Sequence, residues 1–449
     1  MKYIKEPAKD VPVVHETDIC IVGGSCTGIF AAVRAARLGA KVAVVEKQNC
    51  FGGVATAALV NVWHSLYDEP RKRKIIAGLT EEVIDRLRKR EAVHESDDRT
   101  NSFRLNTEEL KIELDELVTE NGITPFLHTF YANPYVDDGE LEAIIVENKT
   151  GRGAITAKVF IDATGDADLC LDVGCPSYLP ETLQPPTMCG KIYGMHTLAD
   201  WNWQRALTEH GPEFGLEEDW GWGGAIPGLP GIEMRADMHV FDVDTSQGDQ
   251  LTKSEIEGRR KVRAMMDIIR KYGPAHSKIG LADLAAVIGA RETSRIRGQY
   301  QLSGDDVLYG KEFDDAIAYG SYRVDIHHSD GPGITFRYLD GTEVVIPTRG
   351  GEKQVDHWRE PIEKDPTFYQ IPYRCLVQEK YPNVLMSGRM LDADKVAFSG
   401  ARVMVNMNQT GEAAGVAAYL ALDSKCAVQE VEIKKVQKLL EKGGSVSYQ

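Results

Sequence analysis

One stretch limits what this chain can become more than any other: residues 18 to 47, reading DICIVGGSCTGIFAAVRAARLGAKVAVVEK. Four apolar residues, Ile19 to Val22, predict a strand buried on both faces. A glycine turn follows, then a small-residue run from Thr27 to Leu38 that predicts a helix, then Gly39 as its stop. Val42 to Val45 reads as a second buried strand, with Glu46 at its end. A βαβ unit of this spacing is the pattern of a dinucleotide-binding fold. Gly23 permits the tight turn, Gly28 lets helix and strand pack closely, and the helix N-terminus presents amides to a pyrophosphate. Glu46 is placed to accept a hydrogen bond from a ribose. Ser25 stands where the usual fingerprint has its middle glycine, and serine is small enough to keep the phosphate approach open.

A chain of 449 residues exceeds one compact core of ordinary size, so two domains sharing an interface are expected. The net charge of −16 argues against a nucleic-acid partner or a polybasic membrane surface. The opening MKYIKEPAKD carries no apolar run, and no stretch approaches the roughly 20 apolar residues that span a bilayer. A cytoplasmic location is therefore expected. The eight cysteines, at 20, 26, 50, 170, 175, 189, 375 and 426, form no Cys-x-x-Cys pair. That disfavours a zinc site, an iron–sulfur cluster or a redox dithiol, so reduced buried thiols and no metal are expected.

After the second strand, Gly52 and Gly53 let the chain pass close to something flat or anionic, and the small residues around Thr56 suit packing against a cofactor. Residues 74–90 and 106–119 have apolar positions at helical spacing, with Asn106 or Thr107 as a cap. Residues 124–131, 141–147 and 154–161 read as strands, the last entering a turn at Ala163 to Gly165. That turn would share the carboxyl-end edge of the sheet where ligands bind. Residues 176–235 hold Trp201, Trp203, Trp220 and Trp222, read as the core of a small sheet in preference to a substrate pocket. Residues 252–271 read as an amphipathic helix. Arg291, Arg295 and Arg297 would share one face of a strand, as a solvated face or an anion clamp. In the strand from Tyr322, Asp325 and His327 share a face, and His327 is a candidate base. Residues 383–389 read as a buried strand ending in glycine. A helix from Gln409 follows, whose Gly411, Ala413, Ala414 and Gly415 would admit a ligand or another backbone.

With these residues in view, the sequence resembles the FAD-dependent oxidoreductases of the glutathione-reductase superfamily, in particular the bacterial group loosely termed xanthan-lyase-like. The matching segments are VGGSCTG from Val22, Glu46-Lys47 with GGVAT from Gly52, IDATGD from Ile161, RETSRI from Arg291, VDIH from Val324, YQIPYRCL from Tyr369, and Ser387 through Gly415. The resemblance implies an α/β architecture: a Rossmann-type FAD-binding domain, glutathione-reductase- or fumarate-reductase-like, with an inserted α+β substrate domain. The FAD domain would comprise residues 1–185 and 371–449, and the insert 186–370. By position, Gly23, Gly24, Ser25, Thr27 and Gly28 would meet the pyrophosphate, Glu46 and Lys47 the ribose side, and Gly52, Gly53 and Thr56 the loop beyond. Ala163, Thr164 and Gly165 would lie on the adenine side, and Gly388, Arg389, Gly411, Glu412 and Ala413 along the flavin end.

Only one fingerprint of this type is present, so electrons are expected from an organic substrate and not from NADPH. The leading reading is a flavoenzyme moving hydride between FAD and a small polar substrate such as a sugar or hydroxy acid, with an electron acceptor the sequence does not name. A homo-oligomer is a further expectation. His327 would be the base, Tyr373 its partner, Arg291 and Arg374 the substrate clamps, and His64 the runner-up base. The competing readings are a reductase of an activated double bond using Arg295 or Arg374 as acid, a non-redox FAD-binding protein, and an NAD-dependent enzyme.

Overall fold

The computed structural model describes residues 2–97, 100–349 and 351–447. At its centre lies a five-stranded parallel sheet in the order Val384–Met386, Val159–Asp162, Ile19–Val22, Val42–Val45, Thr124–Phe126. Ile19–Val22, Val42–Val45 and Val384–Met386 are short and wholly apolar because both faces are covered, whereas Thr124–Phe126 at the sheet edge is partly exposed. Ile19, Ile21, Val42, Val44 and Ile161 face a helical layer that includes Ile29, Phe30 and Val33 of the helix Cys26–Arg37 and Leu110, Leu114 and Leu117 of the helix Thr107–Glu120. Cys20, Val22, Val45 and Phe160, on the alternate positions, face Leu141, Ile144, Val146 and Ile155. Those four residues belong to a covering sheet ordered Val13–Glu16, Gly151–Thr156, Glu140–Asn148, Phe130–Asp137.

The run 154–161, expected as one strand, is two. Gly151–Thr156 pairs in the covering sheet and Val159–Asp162 in the parallel one. The hand-over is fixed by the amides of Lys158 and Val159, which both donate to the Asp18 carbonyl. Residues 124–131 divide in the same way, into Thr124–Phe126 and the start of Phe130–Asp137. Strand propensity is blind to a change of partner sheet.

A second apolar core is drawn, apart from Leu59, from residues 188–288. There the antiparallel strands Trp222–Ala225, Ile232–His239, Thr187–Tyr193 and Gly280–Leu284 lie side by side. The helix Gly248–Tyr272 packs Val262, Met265, Met266, Ile268 and Ile269 into this core. Trp201, Trp203 and Trp222 pack against it, as expected of a sheet core, whereas Trp220 turns toward His327. From Leu302 onward most of the buried apolar residues return to the cores of the parallel sheet; Ile334 and Phe336, in the antiparallel sheet Val324–His327, Ile334–Arg337, Thr342–Ile346, Gln354–His357, do not.

The helix expected from Gln409 begins at Met404, five residues earlier, and runs to Ser424. Gly411 and Gly415 are therefore interior positions. They lie against the backbone of the helix Cys26–Arg37: a Cβ on Gly411 would sit 2.1 Å from the Thr27 carbonyl oxygen, and one on Gly415 2.1 Å from that of Ala31.

Candidate functional site

The central strands finish at Val22, Val45, Asp162 and Met386, so the turns after them share one edge. Gly23, at φ +104°, lies so close to the next turn that a Cβ would be 2.4 Å from the Ala163 carbonyl oxygen. Ser25 caps the helix, its Oγ accepting from the Gly28 amide at 3.3 Å. The Cys26 and Thr27 amides precede the first intrahelical hydrogen bond and form the positive end of that helix. Gly24 and Gln48 each donate an amide to Glu46 at 2.8 Å, one to each carboxylate oxygen. A carboxylate has about four acceptor sites, so Glu46 retains capacity for a hydroxyl. Lys47 beside it is exposed.

The Gly52 amide donates to the Gly24 carbonyl at 2.8 Å, backing the Gly52–Gly53 turn onto Ser25. Thr56 closes that turn by donating its hydroxyl to the Phe51 carbonyl at 2.6 Å. Ala163 donates to the Val22 carbonyl, and Thr164 donates both amide and hydroxyl to Asp162. Gly165 lies against the Arg389 guanidinium, which pairs with Asp166 at 2.8 Å. Gly388, at φ +110°, lies beside the helix start: a Cβ there would be in ordinary contact with Met390 Sδ at 3.8 Å and the Thr27 methyl at 3.9 Å. These turns gather the expected residues from Gly23 to Gly28, Glu46, Gly52, Gly53, Thr56, Ala163 to Gly165, Gly388 and Arg389. Gly411 packs on Thr27, with Ala413 two residues further along the same buried helix. Glu412 is directed elsewhere, to Arg34, the Leu79 amide and Ser445.

A second assembly brings three of the expected catalytic residues together. His64 stacks on Tyr322 with ring centroids 3.9 Å apart, and the Tyr322 hydroxyl donates to Asp325 at 2.6 Å. The other Asp325 oxygen lies 3.3 Å from His327 Nε2 and 3.6 Å from Arg402. Gln184 Oε1 accepts from the His327 amide at 3.1 Å and from Arg402 at 3.4 Å. Arg291 donates to the Pro185 carbonyl and, at 2.9 Å, to Thr187 Oγ1. The His327 ring also faces His239 at 5.1 Å, and His239 is held by Asp219 at 2.8 Å. His64, Arg291 and Tyr322 are surrounded by protein atoms, yet they and Arg402 each keep some accessible surface.

Electrostatics in this assembly follow from burial under positive charge. Burial, then Arg291 and His239, pushes His327 well below its ordinary range. Burial, then Arg323, pushes His64 down to about 3, against the opposing pull of Asp325. Both imidazoles are thus neutral near pH 7 and able to accept a proton. Burial, then Arg402, brings Arg291 down to about 10. Burial would raise the Asp219 carboxyl, but His239 outweighs it and holds the group below its usual range.

Tyr373, Arg374 and Arg295 have other surroundings. The Tyr373 hydroxyl donates to the Val428 carbonyl at 2.8 Å, and Arg374 forms a two-pronged pair with Asp315. Arg295 is buried against Glu292 and the Phe398 ring. The three arginines expected on one strand face do not share one, because only Arg295–Ile296 is extended; Arg297 is exposed over Tyr178. Arg402, Gln184, His239 and Asp219 were not singled out from sequence. Arg402 had one available signal, its place just before a small-residue helix.

The chain belongs to the FAD dependent oxidoreductase family, whose model matches residues 18–440. No curated protein matches the sequence. Among solved structures, it is similar to a geranylgeranyl bacteriochlorophyll reductase-like protein from Thermoplasma acidophilum, at 12% identity, covering 95% of this chain and 83% of that one, with a TM-score of 0.43. It is also similar to the p-nitrophenol 4-monooxygenase PnpA from Pseudomonas putida DLL-E4, at 12% identity, 95% and 87% coverage and a TM-score of 0.45. A third is the flavin-dependent brominase Bmp2, at 9% identity, 96% and 84% coverage and a TM-score of 0.45.

The protein is thus a flavoprotein oxidoreductase that uses FAD. Its residues fit that cofactor: the Gly23 and Gly28 contacts keep the helix start free of side chains, and Glu46 beside it retains acceptor capacity for a ribose hydroxyl. His64 Nδ1 and Arg402 Nε, both buried, have no hydrogen-bond partner among the described residues, as expected of groups awaiting a polar ligand. Among the described residues no helix is long and apolar enough to cross a membrane, and no group of His, Cys, Asp and Glu could hold a metal ion.

Proposed function

We propose that the enzyme transfers hydride between FAD and a small polar organic substrate held by His64, Arg291, His327 and Arg402. The observation that carries this reading is the position of Arg402, which joins that assembly to the start of the helix Met404–Ser424. Seven residues further on, Gly411 of the same helix rests on Thr27 of the nucleotide turn. At 1.5 Å per residue, about 10 Å of rigid helix links the two ends of the site.

On this reading Gly23 to Gly28 seat the pyrophosphate with the Cys26 and Thr27 amides, and Glu46 accepts from the ribose. Ala163 to Gly165 border the adenine side, and Gly388, Arg389 and the Gly52–Thr56 turn border the path toward the ring. The amides at the start of Met404–Ser424 place positive charge there, favouring a reduced ring. FAD supplies the hydride acceptor or donor. The chain supplies the proton chemistry: neutral His327, its Nε2 turned toward Asp325, accepts the substrate's hydroxyl proton at Nδ1, while Arg291 and Arg402 orient the substrate. Arg374 and Tyr373 are left to structural roles.

The test is anaerobic mixing of the yellow holoenzyme with alcohols, hydroxy acids and sugars while the flavin absorbance is followed. A substrate should bleach the flavin, and His327→Ala should slow that bleaching at least about 100-fold, the usual worth of a positioned base. An unchanged rate in His327→Ala would remove the assignment. Turnover that requires O2 and inserts oxygen into the substrate would replace hydride transfer by monooxygenation.

A further inference from the structure

The buried assembly is unbalanced in charge. Among the described residues, Arg291 and Arg402 look to a single nearby carboxylate, Asp325, which already accepts from Tyr322 and lies beside His327 Nε2, and the positive charge of Arg323 also reaches His64 and Tyr322. Among the described residues Arg291 donates only to neutral oxygens, those of Pro185 and Thr187. Arg402 donates to Gln184 and to the Asp325 backbone carbonyl, and its buried Nε has no partner among the described residues. The next carboxylate, Asp219, is taken by His239, and Asp237 beyond it is shared by Arg235 and Arg349. His64 and His327 are neutral and supply no balancing charge. A desolvated surplus cation is costly unless an anion joins it. The surplus stands out in a chain whose net charge is −16.

We infer that the substrate carries a carboxylate, which binds between Arg291 and Arg402 and completes the charge balance of the site. This rests on the hydride-transfer reading for the site's location and narrows its substrate class. Arg402 has Nε and Arg291 has unused N–H groups to offer, and a guanidinium's planar fork matches a carboxylate. Held there, the anion places the adjoining carbon of a small hydroxy acid beside His327. Neutral polyols would leave the surplus charge unmet, so the site disfavours them.

The experiment is equilibrium binding to the oxidised holoenzyme, read by perturbation of the flavin spectrum and by the unfolding temperature. The probes are lactate and glycolate with their neutral twins lactamide and glycolamide, together with succinate and glycerol. Carboxylates should bind saturably and raise the unfolding temperature, and the amides and glycerol should bind at least about 10-fold more weakly, as the loss of one charge-assisted contact requires. Arg402→Gln and Arg291→Gln should each weaken carboxylate binding about 10- to 100-fold, whereas Arg402→Lys, which keeps the charge but loses the planar fork, should bind more tightly than Arg402→Gln and more weakly than the parent. Equal binding of amide and carboxylate by the unaltered enzyme overturns the inference without recourse to any variant. So does undiminished carboxylate binding in both Gln variants. Carboxylates that bind while no organic substrate of any class exchanges electrons with the flavin would refute the hydride-transfer reading alone. Neutral alcohols that bleach the flavin while no carboxylate binds would refute the carboxylate alone.

Discussion

Replacing Gly411 by Ala tests whether the crossing of Cys26–Arg37 with Met404–Ser424 holds the two ends of the cofactor site in register. The added Cβ would lie 2.1 Å from the Thr27 carbonyl oxygen, and the helices must part by about 1.3 Å to reach an ordinary contact of 3.4 Å. The obstructing atoms are backbone, so no rotamer change can relieve them. Overpacking of this kind costs about 1–3 kcal/mol. Alanine's better helix propensity returns about 1 kcal/mol, so with a clash at the upper end the net loss is about 2 kcal/mol. Thr27 follows directly on the capped turn, so the displacement also moves the amides that seat the pyrophosphate. The assay is the ratio of FAD to protein after purification, with the temperature at which flavin fluorescence rises on heating. Gly411→Ala should lower both. Gly248→Ala, at a helical glycine with nothing within 4 Å, is the control and should change neither. If Gly411→Ala keeps full FAD and unfolds at the same temperature or higher, the close crossing does not position the site.

Two further outcomes concern buried charge. Arg34 and Glu412 form an ion pair with 5% and 1% of their side chains exposed, so Arg34→Met leaves a buried carboxylate behind and should cost about 3–5 kcal/mol in chemical unfolding. Glu412→Gln, which keeps shape and some hydrogen bonding, should cost less, and the reverse order would contradict the pairing. Asp168 is raised to about 6 by burial, with Asp166 and Asp162 adding to it. Its folded pKa exceeds the unfolded one, so its contribution is complete below about pH 4 and is lost as pH rises through about 6. Asp168→Asn cannot ionise and should gain about 2–3 kcal/mol over the parent at pH 8 relative to pH 4. Parallel stability curves for the two proteins would refute that shift.

Much of the nucleotide end was legible because its constraints are local. The Ile19–Val22 strand, the Gly23 turn, the capped helix and the Val42–Val45 strand are contiguous, and each follows from apolar runs and glycine positions within a few residues. The substrate end was not, because it is assembled from distant segments. Asp325 and His327 were placed on one face by strand alternation, and they do meet. Their companions Gln184, His239 and Arg402 reach them only through the tertiary fold. Arg374 and Tyr373 looked equally suitable in sequence, but an acid at Asp315 and a carbonyl at Val428 hold them elsewhere. The small-residue pattern at Gly411 fitted a ligand or a helix backbone alike, and packing decided for the backbone.

The central claim is that one FAD joins the Gly23 turn to the assembly around His64 and Arg402. A crystal structure of the holoenzyme measures it most directly. The account expects the pyrophosphate on the Cys26 and Thr27 amides and the flavin ring within about 4 Å of His64 or Arg402, ordinary contact distance. A flavin ring lying away from both would contradict the account.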